Sequence, residues 1–256
     1  MILPNLQEVL LHVMPVFLRI AGLMTFAPFF GGTAISARLK AVFTVALTVL
    51  VYPVCHATLV SDAPLNWIAV VLSETVLGLA MGLCLQFIVE AAELAGQVVG
   101  FQFSFSLVNV IDPQSNVDTT VLSIFHQLIA LLFFLQFDVH HWVLRGVVRS
   151  FAYVRPGEVI ISNALTTELL HIAGGLFLIG VQIATPLLLA TFLIDLTVGF
   201  LSKASPQMPA IFLSIPLKSL TGYAVLAVAV GLWPGFFEKQ FLHALGWSER
   251  LLQLAH

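Results

Sequence analysis

The chain is short of charge. Of its 256 residues only 9% are Asp, Glu, Lys or Arg, and the net charge of −3 comes with no basic cluster. A nucleic-acid surface, or a polybasic grip on anionic lipid, concentrates Lys and Arg on one face, so no nucleic-acid partner and no polybasic patch is expected. Cysteine is equally scarce. Cys55 and Cys84 stand singly inside apolar segments, without metal-ligand spacing or an evident disulfide partner, so they read as small core residues and leave the redox compartment open. The N-terminus lacks a basic stretch and a small-residue cleavage site, and its apolar run continues past Arg19. The expectation is therefore a mature chain starting at Met1. No GxSxG elbow, HExxH helix or phosphate loop occurs, and the serines beside the phenylalanines have no local base, so no catalytic residues and no enzyme are expected.

What the chain has is apolar surface. At 59% hydrophobic residues and a mean hydropathy of +1.03, it carries more than one soluble core can hide, which makes it an all-α integral membrane protein. Six apolar segments, at about 9–30, 41–60, 65–89, 119–137, 169–194 and 219–237, are each near the length of a spanning helix. Between them lie PFFGGTAISARLK, a short SDAPLN turn, the polar stretch 101–118, the connection FDVHHWVLRGVVRSFAYVRPGE, and a loop at 203–218. No linker separates soluble domains, so a single membrane domain is expected. Alternate connections carry Arg145, Arg149, Arg155, Lys239 and Arg250 on one side and Arg38, Lys40, Lys203 and Lys218 on the other. That near-balance lacks the basic bias of a simple six-span protein and favours hairpins that enter and return. Arg19, Glu74 and Gln182 interrupt apolar runs, where a polar group requires protein or water around it.

The third segment, read as one helix over 67–100, places Gly78, Gly82, Gln86, Glu90, Glu93, Gln97 and Gly100 on one side at steps of three or four. Gly78 with Gly82, and Gly96 with Gly100, are small-xxx-small pairs that permit close helix approach. Packing inside the chain is one reading. The two carboxylates and two amides on the same side favour an intersubunit or water-facing surface. In FQFSFSLVNVIDPQSNVD, Phe101, Phe103 and Phe105 alternate with polar residues as in an extended backbone, and Asp112-Pro113 breaks any helix. Unpaired amides cost several kcal/mol in hydrocarbon, so such a segment is buried in protein or lines a water-filled cavity.

Taken in order, RIAGLMTFAPFFGG with ARLK, GLAMGLCLQFIVEAAELAGQVVGFQ, VIDPQSN, FDVHHWVLR with RSFAYVRPG, and SPQMPAIFLSIPLK resemble the flagellar biosynthetic FliR family and its virulence-secretion relatives over most of the chain. The sequence departs from the family at Ser36, where proline is usual, and at Ser104, Ser106 and Val139, where glycine is frequent. The resemblance implies a subunit of a helical type III export gate in the bacterial inner membrane, part of the flagellar basal body. Its implied partners are FliP-like and FliQ-like subunits, an FlhB-like subunit, membrane lipid and exported unfolded polypeptides. It implies a FliP-like part at 1–168 and a FliQ-like hairpin part at 169–256. It further implies that Phe101, Phe103, Phe105, Ser106, Leu107, Asn109, Asp112, Pro113 and Asn116 belong to a pore plug. A stiffened loop with Lys203, Pro206, Gln207, Pro209, Pro216 and Lys218 then faces the cytoplasm.

Two alternatives stand beside this reading. One is a virulence-type injectisome subunit. The other is a small-solute or ion transporter, with Arg19, Glu74, Glu90, Glu93 and Asp195 along a pathway, although no paired broken helices of two related halves are visible. For each of these charges the plainer reading is an ion pair or hydrogen bond to a neighbouring helix, and it is favoured for Glu74. Asp138, His140 and His141 invite a metal. Adjacent histidines are expected to diverge on a helix, no third histidine has useful spacing, and Trp142 follows as an interfacial anchor. No metal and no cofactor are expected.

Overall fold

The computed structural model describes residues 6–32, 35–55, 67–103, 120–156, 162–204 and 210–255. Among the described residues there are seven helices and no strand: α1 (Leu6–Phe26), α2 (Ala37–Cys55), α3 (Trp67–Gln102), α4 (Val121–Gln136), α5 (Val139–Tyr153), α6 (Asn163–Ala204) and α7 (Ala210–Leu254). The ends follow local chemistry. Ser36, Thr120 and Ser162 accept backbone N–H bonds from Leu39, Ser123 and Leu165, and so cap α2, α4 and α6. α2, α3, α6 and Leu213–Leu254 of α7 are long and apolar enough to cross a membrane. α4 and α5, bent by 66° at the break between them, pass the same test only as a pair, as a broken span or a re-entrant hairpin. α1 holds only a shorter apolar stretch, Val13–Phe26. The chain is an all-α multi-pass membrane protein, and among the described residues each of the six expected apolar segments overlaps a helix, the first running past the end of α1 at Phe26.

Three expectations are corrected. The connection after Phe137 is helical. Val139, Val143, Val147 and Phe151 recur every fourth residue and are buried, and this face organises α5 despite the polar residues between them. The proposed loop at 203–218 is mostly helix. Lys203 lies in the last turn of α6, whereas Pro216 and Lys218 lie inside α7. Proline does not end a helix where the rest of a long apolar rod holds its register. The phenylalanine alternation does not start an extended segment at Phe101. α3 runs through Gln102, and Phe103 N–H donates to the Val99 carbonyl at 3.0 Å, because one more turn on a formed helix costs less than a new conformation.

Two compact units divide the chain: one of residues 1–87, 134–174 and 240–256, the other of 88–133 and 175–239. In the first, α1 lies so close to α3 that a Cβ on Gly22 would meet the Thr75 carbonyl at 2.6 Å. Ala80, Cys84, Ile172 and Leu251 form a buried cluster bordered by Phe87, Leu169 and Trp247. α2 buries Thr44, Thr48, Val51 and Cys55 along one line and leaves Val42, Val45, Val49, Leu50 and Val54 exposed, as suits lipid or another apolar partner. The threonines satisfy their hydroxyls on the carbonyls four residues back. In the second unit α4 lies against α3, where the Thr120 hydroxyl donates to the Gly96 carbonyl at 3.3 Å. Aromatic contacts join α4 to α7, with His126 on Trp233 at 4.9 Å and Phe133 on Phe237 at 5.4 Å.

Candidate functional site

Arg19 on α1 and Glu74 on α3 are both fully buried and form a two-pronged ion pair, Nε to Oε2 at 2.6 Å and Nη2 to Oε1 at 2.9 Å. Nη1 donates to Ser150 Oγ at 2.8 Å and Nη2 to the Val154 carbonyl at 3.2 Å, and the Phe151 ring lies 3.9 Å from the guanidinium carbon. Three helices thus meet on one cation whose hydrogen bonds and ring contact all come from the protein. This is the ion pair expected for Glu74, and the burial removes both residues from any water-filled pathway. Sequence reasoning missed Ser150, Phe151 and Val154, which stood in a stretch taken as a connection. The four-residue apolar period of α5 was the signal that would have found them.

The glycines of the stripe make close contacts inside the chain, the packing that stood beside the intersubunit reading. A Cβ on Gly78 would strike the Arg19 carbonyl, and one on Gly82 would lie 2.7 Å from the Leu23 carbonyl, both on α1. At Gly96 the obstacle is Ser123 Cα and at Gly100 the Thr120 side chain, both beside α4. Periodicity showed that α3 has a face for close approach; it did not show that α1 and α4 occupy it. The polar members of the stripe are placed differently. Gln86, Glu90, Glu93 and Gln97 are half-buried, and Glu93 accepts a bond from Gln127 Nε2 at 2.8 Å.

Of the residues expected to form a plug, Phe101 is exposed, whereas Phe103 is buried with its ring where a Gly222 side chain would stand and 5.8 Å from Tyr223. Phe105, Ser106, Leu107, Asn109, Asp112, Pro113 and Asn116 lie outside the described residues, as do Pro206, Gln207 and Pro209. Both flanks of 104–119 are held at the end of α3: Phe103 by α7, and Thr120 by its contacts with Gly96 and Gly100. Lys203 and Pro216 are exposed. Lys218 Nζ pairs with Asp195 Oδ1 at 2.6 Å, so Asp195 also has the ion pair expected of it.

Asp138, His140 and His141 come together, which corrects the expectation that the histidines diverge. Asp138 adopts the left-handed conformation (φ 54°) before α5 and makes no side-chain cap bond. Its carboxylate lies 3.3 Å from His141 Nδ1 and 3.9 Å from His140 Nε2, the imidazoles are 4.2 Å apart, and one donor atom from each residue falls within 4.8 Å of the others. His140 Nδ1 is buried without a hydrogen-bond partner. The group lies at the break between α4 and α5.

Residues 10–244 match the family described as bacterial export proteins, family 1. The flagellar biosynthetic protein FliR of Escherichia coli K12 is 30% identical over 232 residues, spanning 88% of this chain and 86% of that protein. FliR of Pectobacterium carotovorum is 30% identical over 228 residues with the same coverage, and FliR of Bacillus subtilis is 28% identical over 218 residues, 84% of each chain. With the match running through all seven helices and the relatives covered nearly end to end, the chain belongs to the FliR family of bacterial export proteins.

Proposed function

We propose that the chain is the FliR-like subunit of a flagellar type III export gate, assembled with FliP-like, FliQ-like and FlhB-like subunits around a pore for unfolded polypeptides. Family membership and four to five membrane-capable spans make it a multi-pass component of the flagellar export apparatus in the inner membrane. The flagellar reading is favoured over the injectisome because the relatives reported above all carry flagellar names. The transporter reading loses two of its pathway residues to the sealed Arg19–Glu74 pair.

The observation that supports the plug assignment is the position of its two flanking residues: Phe103 and Thr120 are both held beside the last turns of α3. A segment of this composition has hydroxyls and amides for its own backbone, apolar groups to exclude water, and no basic residue to hold passing chain. Residues 101–116 obstruct the pore and move aside during export. Deleting 106–114 should leave the assembly intact and let small ions cross the inner membrane. An assembled deletion complex as tight as wild type would remove this segment as the main barrier. The half-buried row Gln86, Glu90, Glu93 and Gln97 is the contact with neighbouring subunits, a reading supported by two carboxylates and two amides on one side of an otherwise apolar helix. Glu90→Leu with Gln97→Leu should weaken co-purification of the partners, and unchanged recovery of the complex counts against that contact.

A further inference from the structure

The outward face of α5 is not used by the cluster that holds its inner face. Trp142, Arg145 and Arg149 follow one another at steps of three and four, all exposed, and the Arg145 guanidinium lies 5.6 Å from the Trp142 ring. Grooves flank this ridge on both sides, and both arginines line both of them. Toward α2 the groove is about 390 Å³ and otherwise apolar, walled by Leu47, Leu50, Val51, Leu144 and Val148. Toward α7 it is about 240 Å³ and more polar, with Ser248 and Glu249, whose carboxylate stands 3.9 Å from Arg149.

We propose that this ridge is a binding site for a single monoanionic phospholipid of the phosphatidylglycerol type. The apolar groove between α2 and α5 takes an acyl chain. The two guanidiniums, one helical turn apart, take the phosphodiester, for which Arg is suited by its planar fork of donors. Glu249 lies on the headgroup side and accepts hydrogen bonds from glycerol hydroxyls, and Trp142 sits at the level of the polar–apolar boundary where its ring is stable. Charge decides the lipid class. Arg145 and Arg149 against Glu249 leave one net positive charge, which a headgroup with one net negative charge neutralises and a zwitterionic one does not. The bend of 66° before α5 brings such an amphipathic helix out of the line of its span, the placement in which a polar face meets headgroups. This differs from a polybasic surface, which the sequence lacks: two arginines act at one point, with a groove for the chain. The proposal is independent of the export reading.

The test uses the full chain, purified with whatever subunits accompany it, stripped of lipid, and titrated with phosphatidylglycerol, phosphatidylethanolamine or inorganic phosphate while bound species are counted by native mass spectrometry. One phosphatidylglycerol should bind, and Arg145→Gln with Arg149→Gln should weaken it roughly thirtyfold, as expected for two arginines near a charged headgroup. Lys239→Gln, an exposed charge elsewhere, should leave it unchanged. Equal binding by the double arginine variant overturns the site. So does phosphatidylethanolamine binding as well as phosphatidylglycerol, or inorganic phosphate competing at the same concentration as the lipid. A cysteine at Trp142 that cross-links to a co-purified subunit instead of reacting with a lipid probe assigns the ridge to protein and overturns the proposal as well.

Discussion

Replacing Glu74 by Gln removes one negative charge from a fully buried site and leaves Arg19 in place. The guanidinium keeps the Ser150 hydroxyl, the Val154 carbonyl and the Phe151 ring, yet loses the carboxylate at 2.6 and 2.9 Å that neutralises it. Removing one partner of a buried pair costs about 3–5 kcal/mol, chiefly because the remaining charge is stranded. Because the pair joins α1 to α3 while Ser150 and Val154 bring in the end of α5, the loss should appear as lowered unfolding stability of the purified protein in mixed detergent, with α1 separating from α3. Arg19→Met together with Glu74→Leu strands no charge and fills similar volume with apolar groups, although the Val154 carbonyl and the Ser150 hydroxyl each lose the donor that Arg19 supplied. It should recover most of the stability, so the double variant is less damaged than the sum of the single ones. A loss under about 1 kcal/mol for Glu74→Gln, or strict additivity in the double variant, would refute the reasoning, because either result means that the pair is solvated or dispensable.

Gly78→Ala should destabilise the protein by about 1–3 kcal/mol, because its Cβ meets the Arg19 backbone and α1 must move. Gly174→Ala, with nothing within 4 Å, should be neutral or slightly stabilising. Equal effects of the two in the same unfolding assay would show that α1 and α3 are not in close contact. We further expect the connection between α6 and α7 to face the cytoplasm, since Lys203 lies at the end of α6 and Lys218 just inside α7. Cysteines at Ser205 and Gln207 should be labelled by a membrane-impermeant thiol reagent from the cytoplasmic side, and labelling from the periplasm alone rejects that orientation.

Composition determined that this is a membrane protein, and apolar length located its helices, because a bilayer demands continuous apolar runs whatever their partners. The period of Gly78, Gly82, Gly96 and Gly100 likewise announced a face of α3 built for close approach. Only the tertiary structure decided what lies on that face, since periodicity is a property of one helix and packing is a property of two. The same limit explains α5. Its inward residues are regular, but their use became visible only where Ser150, Phe151 and Val154 converge on an arginine more than a hundred residues earlier in the chain. Charge in an apolar run told that Arg19 and Glu74 need company. Which groups supply it was settled by how the helices pack, because the cost of a buried charge dictates that a partner exists and only the fold can bring that partner within hydrogen-bonding distance.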